Sequence, residues 1–499
     1  MADKSFFKLV KTFKGNFWIV SIMELFERWA WYGIFAVLAL YLTGSIDTGG
    51  LGFSQVQKGQ IMGIVTAILY FMPLVLGVVA DKIGFKISLI ISFIILAIGY
   101  YLMGTVTSYS GFFAVFLFVA FGAAFFKPVA SGSVTKSTDN HNSKLGFGLF
   151  YMMVNVGGFV GPAMSSYLRT TYGWKLIFIQ ASVVILLNLL LVIFFFKEPK
   201  VERSKEPVGQ AIKSAFTNVW EAVKDVKLTV LLIIMIGFWT MFNQLFYTLP
   251  TFIEDWVDTV KLHDQIASFA PWLANFMSGG GNSVQPEMLI NIDAGAIVLF
   301  QIMISLLVTN MRHVTAMIRG FIIAIIGIGL TFYFQNGLFT ILGIVIFAIG
   351  EMTTNPTFSS FIGSISPKGK EALYQGTYFL PVAAGNFLTT FISGNLYQSW
   401  SDKLTLLQTE MSARNIAMPE MNAQFSKNDY YTMAGEKLGM TPHQITEMLW
   451  NNYHPHKIAY VIVAIGIVTV LALYIYDRMV IKPKEKVEIQ PLQTNKDTL

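Results

Sequence analysis

Long runs of apolar residues recur along the chain, and polar residues collect in the gaps between them. In the first half the runs lie near residues 17–42, 57–80, 86–105, 111–133, 146–168 and 174–196. In the second half they lie near 228–250, 289–308, 318–335, 338–360, 372–396 and 457–477. Each is long enough, as a helix, to cross the roughly 30 Å hydrocarbon layer of a bilayer. Lipid offers no water to backbone amides and carbonyls, so such runs must close their hydrogen bonds internally as helices. The pattern predicts an all-α membrane protein of about twelve transmembrane helices in two bundles of six. The segment 197–227 is rich in Lys and Glu and too polar to span. It divides the chain into an N-terminal bundle (1–196), a linker, and a C-terminal bundle (228–499) carrying two large insertions, near 251–288 and 397–456.

Composition agrees. The chain has 499 residues, 54% hydrophobic and 13% charged, with a mean hydropathy of +0.58, whereas soluble domains are about 25% charged. The net charge of +6 is therefore no sign of nucleic-acid binding; what matters is where the cations sit. With both termini on the cytoplasmic side, 24 of the 35 Lys and Arg residues fall in cytoplasmic loops and tails and 8 in outer segments. Arg28, Lys127 and Lys175 lie within or at the edge of spans. The expected location is the cell membrane (a bacterial inner membrane), multi-pass, with cytoplasmic termini and 197–227 as a cytoplasmic linker. The basic start of the chain runs into a long apolar stretch broken by Glu24, Glu27 and Arg28, which does not read as a cleavable signal peptide. There is no cysteine, so disulfides, thiolate metal sites and cysteine nucleophiles are excluded. No HExxH or GxSxG occurs, and the six histidines do not cluster inside spans. An enzyme, a cofactor and a resident metal are not expected.

Ionised groups inside spans cost several kcal/mol and normally face a partner or an aqueous cavity. Glu24, Glu27 and Arg28 stand at i, i+3 and i+4, on one helix face, with Glu24 placed to pair with Arg28. Lys127 lies in span four and Glu351 in span ten. Five such groups on three helices from both halves suit a solute charged at both ends. Arg28 and Lys127 would hold a carboxylate and Glu351 an ammonium, and a ligand bridging the bundles would favour closure. Glu24 or Glu27 would carry a proton.

Several motifs sharpen this. The loop Gly77-Val78-Val79-Ala80-Asp81-Lys82-Ile83-Gly84-Phe85-Lys86 resembles the loop signature of the major facilitator superfamily, which implies a gating role for Asp81. Glu24-Leu25-Phe26-Glu27-Arg28-Trp29-Ala30-Trp31-Tyr32-Gly33 is similar to the ExxERFxYYG motif of the proton-dependent oligopeptide transporters (the POT/PTR family) within that superfamily. Phe150 to Gly158, the FFKP around Lys127, the GEM around Glu351 and YFLPVAAGN from Tyr378 to Asn386 match further family motifs, in order, over about residues 17–396. The resemblance implies the major facilitator fold and a proton-coupled symporter importing di- and tripeptides by alternating access. It implies proton coupling at Glu24, Glu27 and Arg28. It also implies a peptide carboxylate at Arg28 and Lys127, an amino group at Glu351, and a pocket lined by Tyr32, Tyr70, Asn155, Asn291 and Tyr378. Peptides, protons and the bilayer are the expected partners of a monomer, with a protein partner at 397–456 as a further option.

The chain departs from the pattern at Trp29, Trp31, Phe35, Asn243, Val129 and Tyr378. Phe35 stands where an arginine is common, and Asn243 where a carboxylate is. These changes leave open another small zwitterion, an anion or a drug as solute. A receptor or assembly protein binding its partner through 397–456 is the alternative of another class.

Overall fold

The computed structural model describes residues 10–139, 142–199, 206–368 and 370–481. Lys4, Lys8, the C-terminal lysines and residues 200–205 of the 197–227 segment, on which the charge-bias argument partly rests, lie outside them.

Among the described residues the chain is helical, without a β-ladder. Ten helices are long and apolar enough to cross a membrane. In chain order, α1 is Gly15–Thr43; α2 (Gln55–Phe71) and α3 (Pro73–Ile83) form a pair bent by 46°. Then follow α4 (Phe85–Met103), α5 (Tyr109–Ser137), α6 (Ser143–Tyr172) and α7 (Trp174–Phe194). A helix outside the spans, α8 (Val208–Val223), occupies the linker, and its Phe216 meets Phe71 at 6.1 Å between ring centroids. The second half holds α9 (Val226–Phe242), α10 (Pro286–Val308), α11 (His313–Tyr333), α12 (Gly337–Ile365), α13 (Phe379–Thr390) and α14 (Lys457–Tyr476).

Two expected spans are not continuous rods. The run 57–80 bends at Met72-Pro73, where the proline lacks an amide to continue the ladder. The run 372–396 is helical but broken into Glu371–Gly376, α13 and a π-helical stretch, Phe391–Leu396. Counting the bent pair as one span gives eleven long apolar spans, and the interrupted 372–396 segment takes the place of the twelfth.

Packing divides the same way as the hydropathy. One buried apolar cluster runs from Phe13 to Phe196 and a second from Ala222 to Ile481. Tyr247 of the second half inserts into the first cluster. Large apolar side chains also point outward: on α10, Leu299, Ile302 and Leu306 are all more than two-thirds exposed. A soluble protein could not sustain such a stripe, whereas lipid solvates it. Close helix approach relies on missing Cβ atoms. A Cβ on Gly161 of α6 would stand 2.5 Å from the Trp29 carbonyl oxygen of α1, so α1 and α6 meet backbone to backbone.

The insertions fold onto one end of the bundle, here the insertion face; the opposite end is the linker face. From 397 to 456 the chain forms helices Lys403–Ala413, Lys427–Leu438 and Pro442–Tyr453. Asn428 from this segment donates to Asp47, just after α1, at 2.9 Å. The 397–456 insertion thus caps the protein's own opposite half.

Candidate transport cavity

Between the two halves, near mid-span, lies a cavity of about 270 Å³. Its walls come from α1, α2, α5 and α6 on one side and α9, α10, α12 and α13 on the other. Tyr32, Tyr70, Lys127, Asn155, Asn291, Glu351 and Tyr378, all singled out from the sequence, line it. Helical registers bring them there: Asn155 and Gly158 follow Tyr151 at four and seven residues on α6, and Asn355 follows Glu351 by one turn on α12.

The polar ends are held differently. Lys127 Nζ stands over the ring of Tyr70 at 5.1 Å and over that of Phe379, from the other half, at 5.9 Å. Both contacts are cation–π in kind and leave the ammonium's protons for a ligand anion. Across the cavity, Glu351 Oε2 is buried and has no hydrogen-bonding partner within the protein. Tyr378 donates to Asn355. Asn155 donates to the Tyr151 carbonyl at 3.1 Å, and Asn291 to the Phe159 carbonyl at 3.0 Å, which ties α10 to α6.

Arg28 is placed otherwise than the sequence suggested. It does not line the cavity; it lies behind Tyr32, with its guanidinium 5.6 Å from that ring. There it is gripped by both glutamates, 3.5 Å from Glu24 and 2.5 Å from Nε to Glu27 Oε2. Glu27 is fully buried. A buried pair of opposite charges needs such geometry to offset its desolvation. With both glutamates ionised the trio carries one net negative charge, so a single proton makes it neutral. Asp81 also lies away from the cavity, exposed at the linker-face end of α3.

One lining residue has no place in the sequence reading. Asp293 on α10 is 4% exposed, faces the cavity, and has its Oδ1 without a partner. The signal for it was present, a carboxylate four residues into the 289–308 run, and the rule that flagged Glu351 applies equally to it.

The halves are joined at the insertion face. Arg169 of α6 reaches Glu287 at the start of α10 through two bonds of 3.0 Å and also bonds Gln285. Gln55 donates to Asp402 at 2.9 Å, and the Val56 amide donates to Gln398 at 3.0 Å. Lys58, fully buried on α2, lies over Tyr397 at 5.1 Å. Below these, α2 and α13 touch through glycine: a Cβ on Gly59 would stand 2.8 Å from the Thr390 carbonyl oxygen and Gly394 Cα. This face is closed. Tyr151, which lines the cavity, is 48% exposed.

Among known proteins, the peptide transporter YePEPT of Yersinia enterocolitica is 31% identical over 209 residues, 40% of this chain and 40% of that protein. The dipeptide and tripeptide permease B of Aliivibrio fischeri is 32% identical over 167 residues, 33% of each chain. The matched stretches thus span only a third to two-fifths of those relatives' length. In fold, the chain is similar to the crystal structure of a POT family transporter in complex with 5-aminolevulinic acid. The TM-score is 0.64 at 18% identity, covering 93% of this chain and 99% of the other. The profile described as Major Facilitator Superfamily matches residues 20–284, more than half of the chain, and together with two helical halves around a mid-membrane cavity it shows that the chain belongs to that superfamily.

Proposed function

We propose that the protein is a proton-coupled symporter that imports di- and tripeptides by alternating access. The observation that carries this reading is the pairing of opposite charges across the inter-half cavity. Lys127 is offered by the first half and Glu351 by the second, and a peptide with free termini would bridge them. Such a ligand binds better when the halves approach, so its binding energy drives the change of access. The peptide permeases among the relatives and the peptide-family motifs on α1, α5, α6 and α12 favour this solute class. In this reading the linker face is cytoplasmic, as the Lys and Arg bias requires, and the state seen is closed to the outside. Glu24, Glu27 and Arg28 sit one side chain behind the cavity, where Tyr32 relays between the proton site and the solute.

Trp31 and Phe35 both line the cavity, where the peptide-family pattern has a tyrosine and often an arginine. That observation favours a second reading, in which the same machinery carries a smaller zwitterion. Uptake of labelled dialanine into liposomes, with and without an acid-outside gradient, separates the two. Gradient-driven accumulation that is lost in Lys127→Ala is expected. No accumulation of any di- or tripeptide by folded, oriented protein overturns the peptide reading.

A further inference from the structure

Among the described residues, three charged side chains face this cavity: Lys127 on one wall, Glu351 and Asp293 on the other. α10 and α12 pack against each other beside the two carboxylates, with Ala296 and Ile297 meeting Ala348 and Met352. These lie three or four residues from Asp293 and one or three from Glu351, which puts both acids at one level. Each keeps an oxygen without a protein partner, and Asp293 is nearly fully buried. Among the described residues that line the cavity, Lys127 is the only cation. α1 presents Tyr32, with the Arg28 trio behind it; α2 presents Tyr70 and α6 Tyr151, while Tyr378 lies just before α13 and the uncharged Asn243 just after α9.

The charge count therefore does not close for a zwitterion. A neutral peptide neutralises Lys127 with its carboxylate and one acid with its ammonium, which leaves one carboxylate over. Like charges at one low-dielectric site do not both stay ionised without a counter-charge. Only two things can supply it: a proton, or a second cation on the solute.

We propose that Asp293 and Glu351 act as a paired receptor for the solute's cationic end, in which a proton and a basic side chain are interchangeable. Asp293 is then a specificity-determining residue. The complex with a neutral dipeptide holds one proton more than the complex with a dipeptide carrying a lysine side chain. Basic peptides enter with their own counter-charge, whereas neutral ones enter with a proton on the pair. This rests on the peptide reading and names where its solute's charge is sensed.

The test is calorimetry of peptide binding to the purified full-length protein in two buffers of different ionisation enthalpy, at about pH 6, where free amines are charged. The probes are Ala-Ala and Ala-Lys, whose termini are alike. Ala-Lys is expected to release about one proton more than Ala-Ala. In Asp293→Asn the difference should vanish, and in Glu351→Gln as well, so one variant that fails to fold does not remove the test. Equal proton counts for the two peptides in the wild type overturn the proposal, as does a difference that survives in a folded Asp293→Asn variant. Absence of binding by any peptide refutes the peptide reading, and with it the inference; binding with equal proton counts refutes the inference alone.

Discussion

Replacing Gly59 by alanine should force the insertion face open. The added Cβ would stand 2.8 Å from two backbone atoms of the opposite half, where ordinary contact begins near 3.4 Å. Neither Gly394 Cα nor the Thr390 carbonyl can swing away as a side-chain tip could, so α2 and α13 must separate by about 0.6 Å. Overpacking of this kind costs about 1–3 kcal/mol. Here the cost falls on the closed state alone, because the contact is made between the halves. It converts to a shift of about 5- to 150-fold in the balance of closed and open forms. The chain has no cysteine, so Ala36→Cys, at a cavity-lining position, gives a single thiol without further engineering. The assay is the rate at which a membrane-impermeant maleimide reaches that thiol from each side of oriented vesicles. From the insertion face the rate should rise by about the factor above when Gly59→Ala is added. A variant that is less thermally stable yet shows an unchanged rate from that face would refute the reasoning. It would mean that Gly59 packs a fixed helix pair and not a gate.

Two other perturbations act on the same face. Arg169→Ala leaves Glu287, fully buried, as an uncompensated charge, which should cost about 3–5 kcal/mol of the closed form; adding Glu287→Gln should restore most of the loss in melting temperature, and a purely additive double variant would show that the pair is not coupled. Burial is the first cause that pushes the Asp255 carboxyl up to about 6, with nearby Asp402 adding to it and Lys427 and Lys403 opposing it. Its unfolded value is near 4, so the folded form binds more protons between pH 4 and 6 and stability falls as pH rises through that window, by at most about 3 kcal/mol. Asp255→Asn, which can still accept the 2.9 Å bond from Tyr397, should melt higher than wild type at pH 7 and equal to it near pH 4; a constant offset at both pH values would count against this assignment.

Much of the architecture could be read from hydropathy because each long span is stabilised locally: its backbone bonds close within itself and its outer face meets lipid. What escaped that reading depends on distant partners. The break in the 372–396 run was not foreseen, since apolar residues continue on both sides of Thr377-Tyr378 and through Phe391, Ile392 and Leu396 of the π-helical stretch. The bend at Met72-Pro73 did carry a local sign in its proline. Arg169 and Glu287 were invisible as a pair because they are 118 residues apart and each sits at a span end, where charges are ordinary. For Arg28, the i, i+4 spacing gave the neighbour Glu24 correctly. It could not tell whether the shared face meets the cavity or a wall behind it. Asp293 was missed for a plainer reason: it was legible by the same rule as Glu351 but falls outside the family motifs that drew attention to the others.

The departures from the peptide-family pattern make physical sense as a set. Phe35 stands where an arginine is common and Asn243 where a carboxylate is, and both line the same cavity from opposite halves. Losing only one would strand a buried charge, at a cost of several kcal/mol; losing both removes a bridge without leaving an orphan. What replaces it is aromatic contact, with Phe35 meeting Phe246 at 6.3 Å and Tyr247 edge-on at 5.6 Å. Tyr247 then bonds Asn386 at 2.6 Å and the Met62 carbonyl at 3.3 Å, so it ties α2 to α13 at the level where the gate begins. Packing of this kind is insensitive to salt and pH. The charges that remain near the cavity are those a solute or a proton can reach, namely Lys127, Glu351, Asp293 and, behind Tyr32, the Arg28 trio. At this level the halves thus meet through uncharged rings, while the ion pair of Arg169 with Glu287 joins them separately, at the insertion face.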